Sequence, residues 1–191
     1  MTEGSGQDPN SSPQRVYGRL KNENEAYADL LCGHLQSMTY RLRQLTSAQW
    51  DWTPASPAPT ARILATHAWQ WLICDRQHLA EPDARKHPLV PEPPADTATL
   101  CDALAEETER WRALILGLTP MQFAEVRHQF NGYEMNVRDF VCHMIQNCIY
   151  KHGEFATLYF ALGLDGDAPY DAPFPNPIYA ELHETEHHET P

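Results

Sequence analysis

Near one end of this 191-residue chain, His183-Glu184-Thr185-Glu186-His187 spells HExxH. In zinc proteases that pattern places two histidines one helical turn apart on the metal, and the glutamate between them activates water. The motif needs a buried helix, a third ligand and a substrate cleft. Here Leu182 is the last aliphatic residue, and three histidines and four glutamates crowd the last eleven positions. A helix that short is marginal by itself. The expectation is a chance match within a His- and Glu-rich run, able to collect adventitious metal but not to cut peptides.

A second pair of histidines is less conspicuous. Residues 60–67 read TARILATH and residues 136–143 read NVRDFVCH. Aligned without gaps, each has a capping residue (Thr60, Asn136), an arginine (Arg62, Arg138), an apolar pair and a closing histidine (His67, His143). Each follows a second echo, LTSAQW at 45–50 and LTPMQF at 118–123. A helical hairpin used twice predicts two helices related by an approximate two-fold. Such an arrangement brings His67 and His143 together from different helices, as metal-binding bundles do. A lone histidine on an apolar helix is ordinarily a satisfied core residue, so it is the pairing that points to a site.

These side chains need helices to carry them. Tyr27, Leu31, Leu35, Met38, Leu42 and Leu45 recur at three-and-four spacing. A second helix opens at Thr60 after PASPAPT. A third has Leu100, Leu104, Trp111, Ile115 and Leu118 on one face, with Glu106, Glu107, Glu109 and Arg110 largely off it, and Gly117 and Pro120 mark its end. The fourth turns Val137, Phe140, Val141, Met144, Cys148 and Ile149 inward. Strand-like alternation is nearly absent, apart from HQFNGYEM, where Asn131-Gly132 suggests a tight turn. The pattern predicts an all-α four-helix bundle with helices near 22–47, 60–80, 97–117 and 136–163. Residues 1–20 read as a flexible arm, 21–164 as the bundle, and 165–191 as an acidic, Pro-rich tail packed on it or trailing from it, with a short acidic helix as one ending.

Composition narrows the partners. The formal charge is −12, with 26 carboxylates against 14 Lys and Arg, which argues against nucleic acid. No apolar run reaches a membrane span, and the start, MTEGSGQDPNSSPQR, has no apolar signal region. Cys32, Cys74, Cys101, Cys142 and Cys148 are scattered without CxxC spacing, which suits reduced, structural thiols in a cytoplasmic protein.

The segments LTSAQWDWTPASPAPTARILATHAWQWL and NVRDFVCHMIQNCIYKHGEFATLYFALG resemble the DinB/YfiT-like family of bacterial four-helix bundles over about residues 22–163. The resemblance implies a divalent transition metal (Zn, Ni or Fe) held by a histidine on the second helix and two ligands a turn apart on the fourth. It also implies thiol S-transferase, isomerase or hydrolase chemistry on a small molecule, low-molecular-weight thiols as co-substrates, and homodimers. His67 matches the second-helix ligand. On the fourth helix, relatives read roughly H-x-x-x-[HE]-x-x-x-H-x-G, and the register fixed by Gly153 puts Asn147 and Lys151 at the two ligand positions after His143. Asn147 is a weak ligand for a transition metal, and a protonated Lys151 repels the ion. His152 cannot replace Lys151 on an undistorted helix, because nine residues from His143 it lies on the opposite face, nearer Cys148.

The expected metal set is therefore His67 and His143 with Asn147 third, with Trp71, Tyr150 and Lys151 around the pocket. A bound metal would hold water or a thiol as its anion at neutral pH. Without metal, a lysine facing a bundle interior pairs with a carboxylate or binds an anion. Two readings follow: a metal-dependent enzyme, or a bundle that has lost its metal and acts as a binding or scaffold dimer.

Overall fold

The computed structural model describes residues 17–81, 83, 86, 90–128, 133–164 and 178–181. Four long helices, α1 (Glu23–Leu42), α3 (Ala61–Ala80), α4 (Thr97–Gly117) and α6 (Val137–Ala161), form the bundle. Two short helices, α2 (Ser47–Trp50) and α5 (Pro120–Ala124), interrupt the connections before α3 and α6. Strand β1 (Tyr17–Leu20) pairs antiparallel with β4 (Tyr179–Glu181), and β2 (Val126–His128) with β3 (Glu134–Asn136).

Each long helix starts where a short polar side chain closes its first turn. Asn22 and Glu25 form a reciprocal capping box at α1, with bonds of 3.0 and 2.9 Å. Thr60, Asp96 and Asn136 accept the N–H groups of Ile63, Thr99 and Asp139. Such caps are worth about 1 kcal/mol each. At the other end of α4, Asn24 Nδ2 donates to the carbonyls of Ile115 and Leu118, tying the start of α1 to the turn where α4 ends.

α1 packs on α4 and α6, and α3 packs on the same two helices, so α1 and α3 sit diagonally, as do α4 and α6. The connections from α1 to α3 and from α4 to α6 thus cross the bundle, and both crossings are anchored alike. Trp50 closes α2 and Phe123 lies in α5, both essentially buried. Gln49 folds back onto the Thr46 N–H at 2.8 Å, and Gln122 onto the Thr119 N–H at 2.9 Å. Arg62 lies over Trp50 and pairs with Asp51, while Arg138 lies over Phe123 and pairs with Glu23. The repeat is therefore a repeat of physical roles: capping box, aromatic plug, and an arginine clamped over it.

The core is continuous through all four long helices, and the apolar stripe of α1 is buried as its spacing predicts. The structure differs from the sequence reading in several places. The first helix ends at Leu42 rather than near 47, because Thr46 caps a separate short helix. Residues 17–20, expected in a flexible arm, form a strand whose partner comes from the acidic tail. Glu107, expected off the core face, is fully buried; Arg76 binds it in a fork and Arg110 reaches it at 3.0 Å. Ile149, expected inward, is 46% exposed. β2 and β3 pair at the two ends of the HQFNGYEM segment, and the tight turn expected at Asn131-Gly132 lies outside the described residues. So do residues 1–16 and the HExxH of His183–His187. Among the described residues, no helix is long and apolar enough to cross a membrane.

Candidate functional site

A cavity of about 240 Å³ opens between α3 and α6. Its floor is apolar and buried: Leu35 from α1, Ala68 and Leu72 from α3, Met144 and Cys148 from α6. Its polar rim is His67 and Trp71 on one helix and His143, Asn147 and Lys151 on the other. The helical spacing explains why they meet. Residues 67 and 71 lie one turn apart on α3, and 143, 147 and 151 lie on successive turns of one face of α6. Tyr150, expected around the pocket, does not line it; its side chain is 63% exposed, and its ring lies 5.5 Å from Lys151 Nζ.

The two histidines are engaged in parallel ways. The Trp71 indole N–H donates to His67 Nε2, which places the proton of the neutral imidazole on Nδ1. One turn along α6, Asn147 Nδ2 lies 3.2 Å from His143 Nε2. Lys151 Nζ donates to Glu154 Oε2 at 2.7 Å, and both side chains are largely shielded, at 20% and 26% exposure. The ammonium is felt at His67, whose pKa lies below the ordinary histidine range, first through burial and then through the Lys151 charge, with Glu154 opposing.

Cys148 in the floor is a protonated thiol, because burial pushes its pKa far up. Cys32 and Cys101 are likewise raised by burial, to about 12 and about 11. None of these three supplies a thiolate at neutral pH. Cys142 differs from the other four cysteines in being exposed.

His152 turns away from the cavity, as its place on the helix predicts. It is 8% exposed and meets His34 of α1, with their Nδ1 atoms 3.0 Å apart. Sequence reasoning passed over His34. The available signal was its place beside Leu35 on the buried flank of α1, but its partner is 118 residues away.

Residues 32–155 match the DinB superfamily. The chain belongs to the DinB superfamily. Two solved structures share its fold. YfiT from Bacillus subtilis, described as a probable metal-dependent hydrolase with an unusual four-helix bundle topology, superposes with a TM-score of 0.58 at 15% identity, covering 82% of this chain and 97% of its own. YjoA, a DinB-like protein from the same organism, superposes with a TM-score of 0.62 at 15% identity, covering 78% of this chain and 96% of its own. No curated protein matches the chain in sequence.

The metal that the family implies does not fit the residues of this DinB chain. A catalytic site needs three good ligands and an open position. The rim offers two imidazoles whose Nε2 atoms already meet Trp71 and Asn147. The other position at which the resemblance implies a fourth-helix ligand is Lys151, an ammonium. Among the described residues, no group of three His, Cys, Asp or Glu side chains is placed to hold a metal ion. A divalent cation here would trade existing hydrogen bonds for a site that also contains a like charge.

Proposed function

We propose that this DinB protein binds a small molecule in the α3–α6 cavity and works there without a resident three-ligand metal ion. One observation carries the reading: Lys151, ion-paired to Glu154, lines the cavity at a position where the family places a metal ligand. The arrangement that remains, an apolar floor with a few convergent polar groups at the mouth, is the usual form of a small-ligand pocket. The test is the metal content of full-length protein purified without a His-tag or metal column. Metal-free protein whose melting temperature does not move on adding Zn²⁺, Ni²⁺ or Fe²⁺ supports the reading. Stoichiometric metal that disappears in His67→Ala overturns it, whereas metal that persists in that variant is bound outside the pocket.

A second reading is favoured by a different observation, that His67 and His143 reach one cavity from two helices. In it the chain is a homodimeric metal-dependent hydrolase or thiol S-transferase using a low-molecular-weight thiol, in line with the description of YfiT. The same metal analysis decides between the two.

A further inference from the structure

With two imidazoles, an amide and an ammonium at the rim, the cavity has the wrong polarity for a cation and a suitable one for an anion. No Asp or Glu lines it, and its one charged lining residue is Lys151. A lysine ammonium has three donors, and Glu154 accepts from it through one oxygen at 2.7 Å. Asn147 Nδ2 stands one turn back on the same face, and His67 shares the rim with it. The ammonium is largely withdrawn from solvent, so a charge-assisted hydrogen bond to it is less screened than one at an open surface.

The floor sets the rest of the ligand. Leu35, Leu72 and Met144 are each 1% exposed overall and present apolar atoms to the cavity. A bare inorganic anion would leave that surface unfilled, and a phosphate dianion would face a single lysine whose charge Glu154 already offsets. The cavity's 240 Å³ also falls below the roughly 300–1,000 Å³ of drug-sized ligand pockets. What matches is a compact apolar body bearing one negative charge.

We infer that the α3–α6 cavity takes small aromatic or branched aliphatic monocarboxylates, the carboxylate on Lys151 and Asn147 and the apolar body against Leu35, Leu72 and Met144. This rests on the metal-free reading of the pocket. It reverses the sign of the ligand that the superfamily resemblance implies at this position.

The test compares benzoate with benzamide, which has nearly the same shape and no charge, on the full-length, tag-free protein by calorimetric titration. The Trp71 indole N–H resonance, assigned with Trp71→Phe, reports whether the probe enters this cavity. Hydrogen bonds to charged groups contribute about 1.5–3 kcal/mol, so benzoate should bind about 10- to 100-fold more tightly than benzamide. It should also shift the Trp71 resonance. In Lys151→Met, which keeps the aliphatic stem, benzoate affinity should fall to the benzamide level while far-UV circular dichroism is unchanged. Asn147→Leu, which leaves Lys151 in place, should weaken benzoate and leave benzamide unaffected. Equal affinity for the two probes, no binding of either, or benzoate affinity that survives Lys151→Met overturns the carboxylate assignment. None of these outcomes touches the metal-free reading, which fails separately if stoichiometric metal is found and is lost in His67→Ala.

Discussion

His34 and His152 meet Nδ1 to Nδ1 at 3.0 Å across the α1–α6 contact. Two imidazoles at that distance share one proton, and a second proton there would place two like charges against each other. Burial first and His152 second hold the His34 pKa at about 4, against an ordinary 6.5. The folded state therefore binds fewer protons than the unfolded chain between those values. The stabilisation is complete above pH 6.5 and is lost as pH falls towards 4. Because solvent reaches part of the His34 ring, the loss should be about 2 kcal/mol rather than the full shift. Urea denaturation at pH 7.5 and pH 4.5 measures it, and His34→Gln should flatten the dependence. An unchanged pH dependence in that variant would remove the pair from the account.

Lys151 and His67 are coupled through the cavity. Removing the ammonium relieves a like charge and leaves Glu154 facing the ring, so both changes favour the imidazolium. In Lys151→Met the pKa of His67 should rise, as followed by the ring C–H resonances across a pH titration. A fall or no movement would place the ammonium outside the field of His67.

Lys151→His supplies an imidazole in place of the ammonium. It should convert the rim into a three-nitrogen site with His67 and His143, and added Zn²⁺ should raise the melting temperature of this variant while leaving the natural protein unmoved. A ligand present at 100 times its dissociation constant stabilises by about 2.7 kcal/mol, which a thermal melt resolves. No response in the variant would mean that residue 151 does not share a site with the two histidines.

Trp50 and Phe123 plug the two bundle crossings in the same way, so Trp50→Ala and Phe123→Ala should cost similar amounts. Both are essentially buried, and large aromatic truncations cost about 3–5 kcal/mol. Equilibrium denaturation gives both values. A Phe123 value near zero would show that the α5 plug is not equivalent to that of α2.

Glu107 is wholly buried and binds Arg76 and Arg110. Glu107→Ala should destabilise by about 2–3 kcal/mol, less than the 3–5 kcal/mol typical of a broken buried pair, because both arginines are partly exposed and can rehydrate. A loss below about 0.5 kcal/mol, the range of ordinary surface substitutions, would contradict the burial of the carboxylate.

How much was legible beforehand follows from how local each feature is. The four long helices, their caps at Asn136 and Thr60, the stops at Gly117 and Pro120, and the doubled LTxxQ(W/F) signature depend on residues within a turn or two. Periodicity and capping chemistry reveal such features without a partner in view. The Lys151–Glu154 pair is equally local, but the sequence left the carboxylate partner of Lys151 unnamed. The cavity face of α6 could be phased because 143, 147 and 151 repeat every four residues. Glu107 and Ile149 were misplaced because a helical wheel gives the angle of a side chain but not the neighbour that it meets. An arginine on α3 makes the interior tolerable for a carboxylate, and the packing of α6 leaves Ile149 facing outward.

By itself, then, the sequence determined a DinB-type bundle with two paired histidines and an ammonium where a metal ligand was expected. It could do so because those facts reside in residue identity and helical spacing. Tertiary structure alone decided that His67, His143 and Lys151 share one cavity, that His34 meets His152, and that β1 pairs with β4. Those contacts join residues far apart in the chain, and the rotation and crossing of packed helices set them.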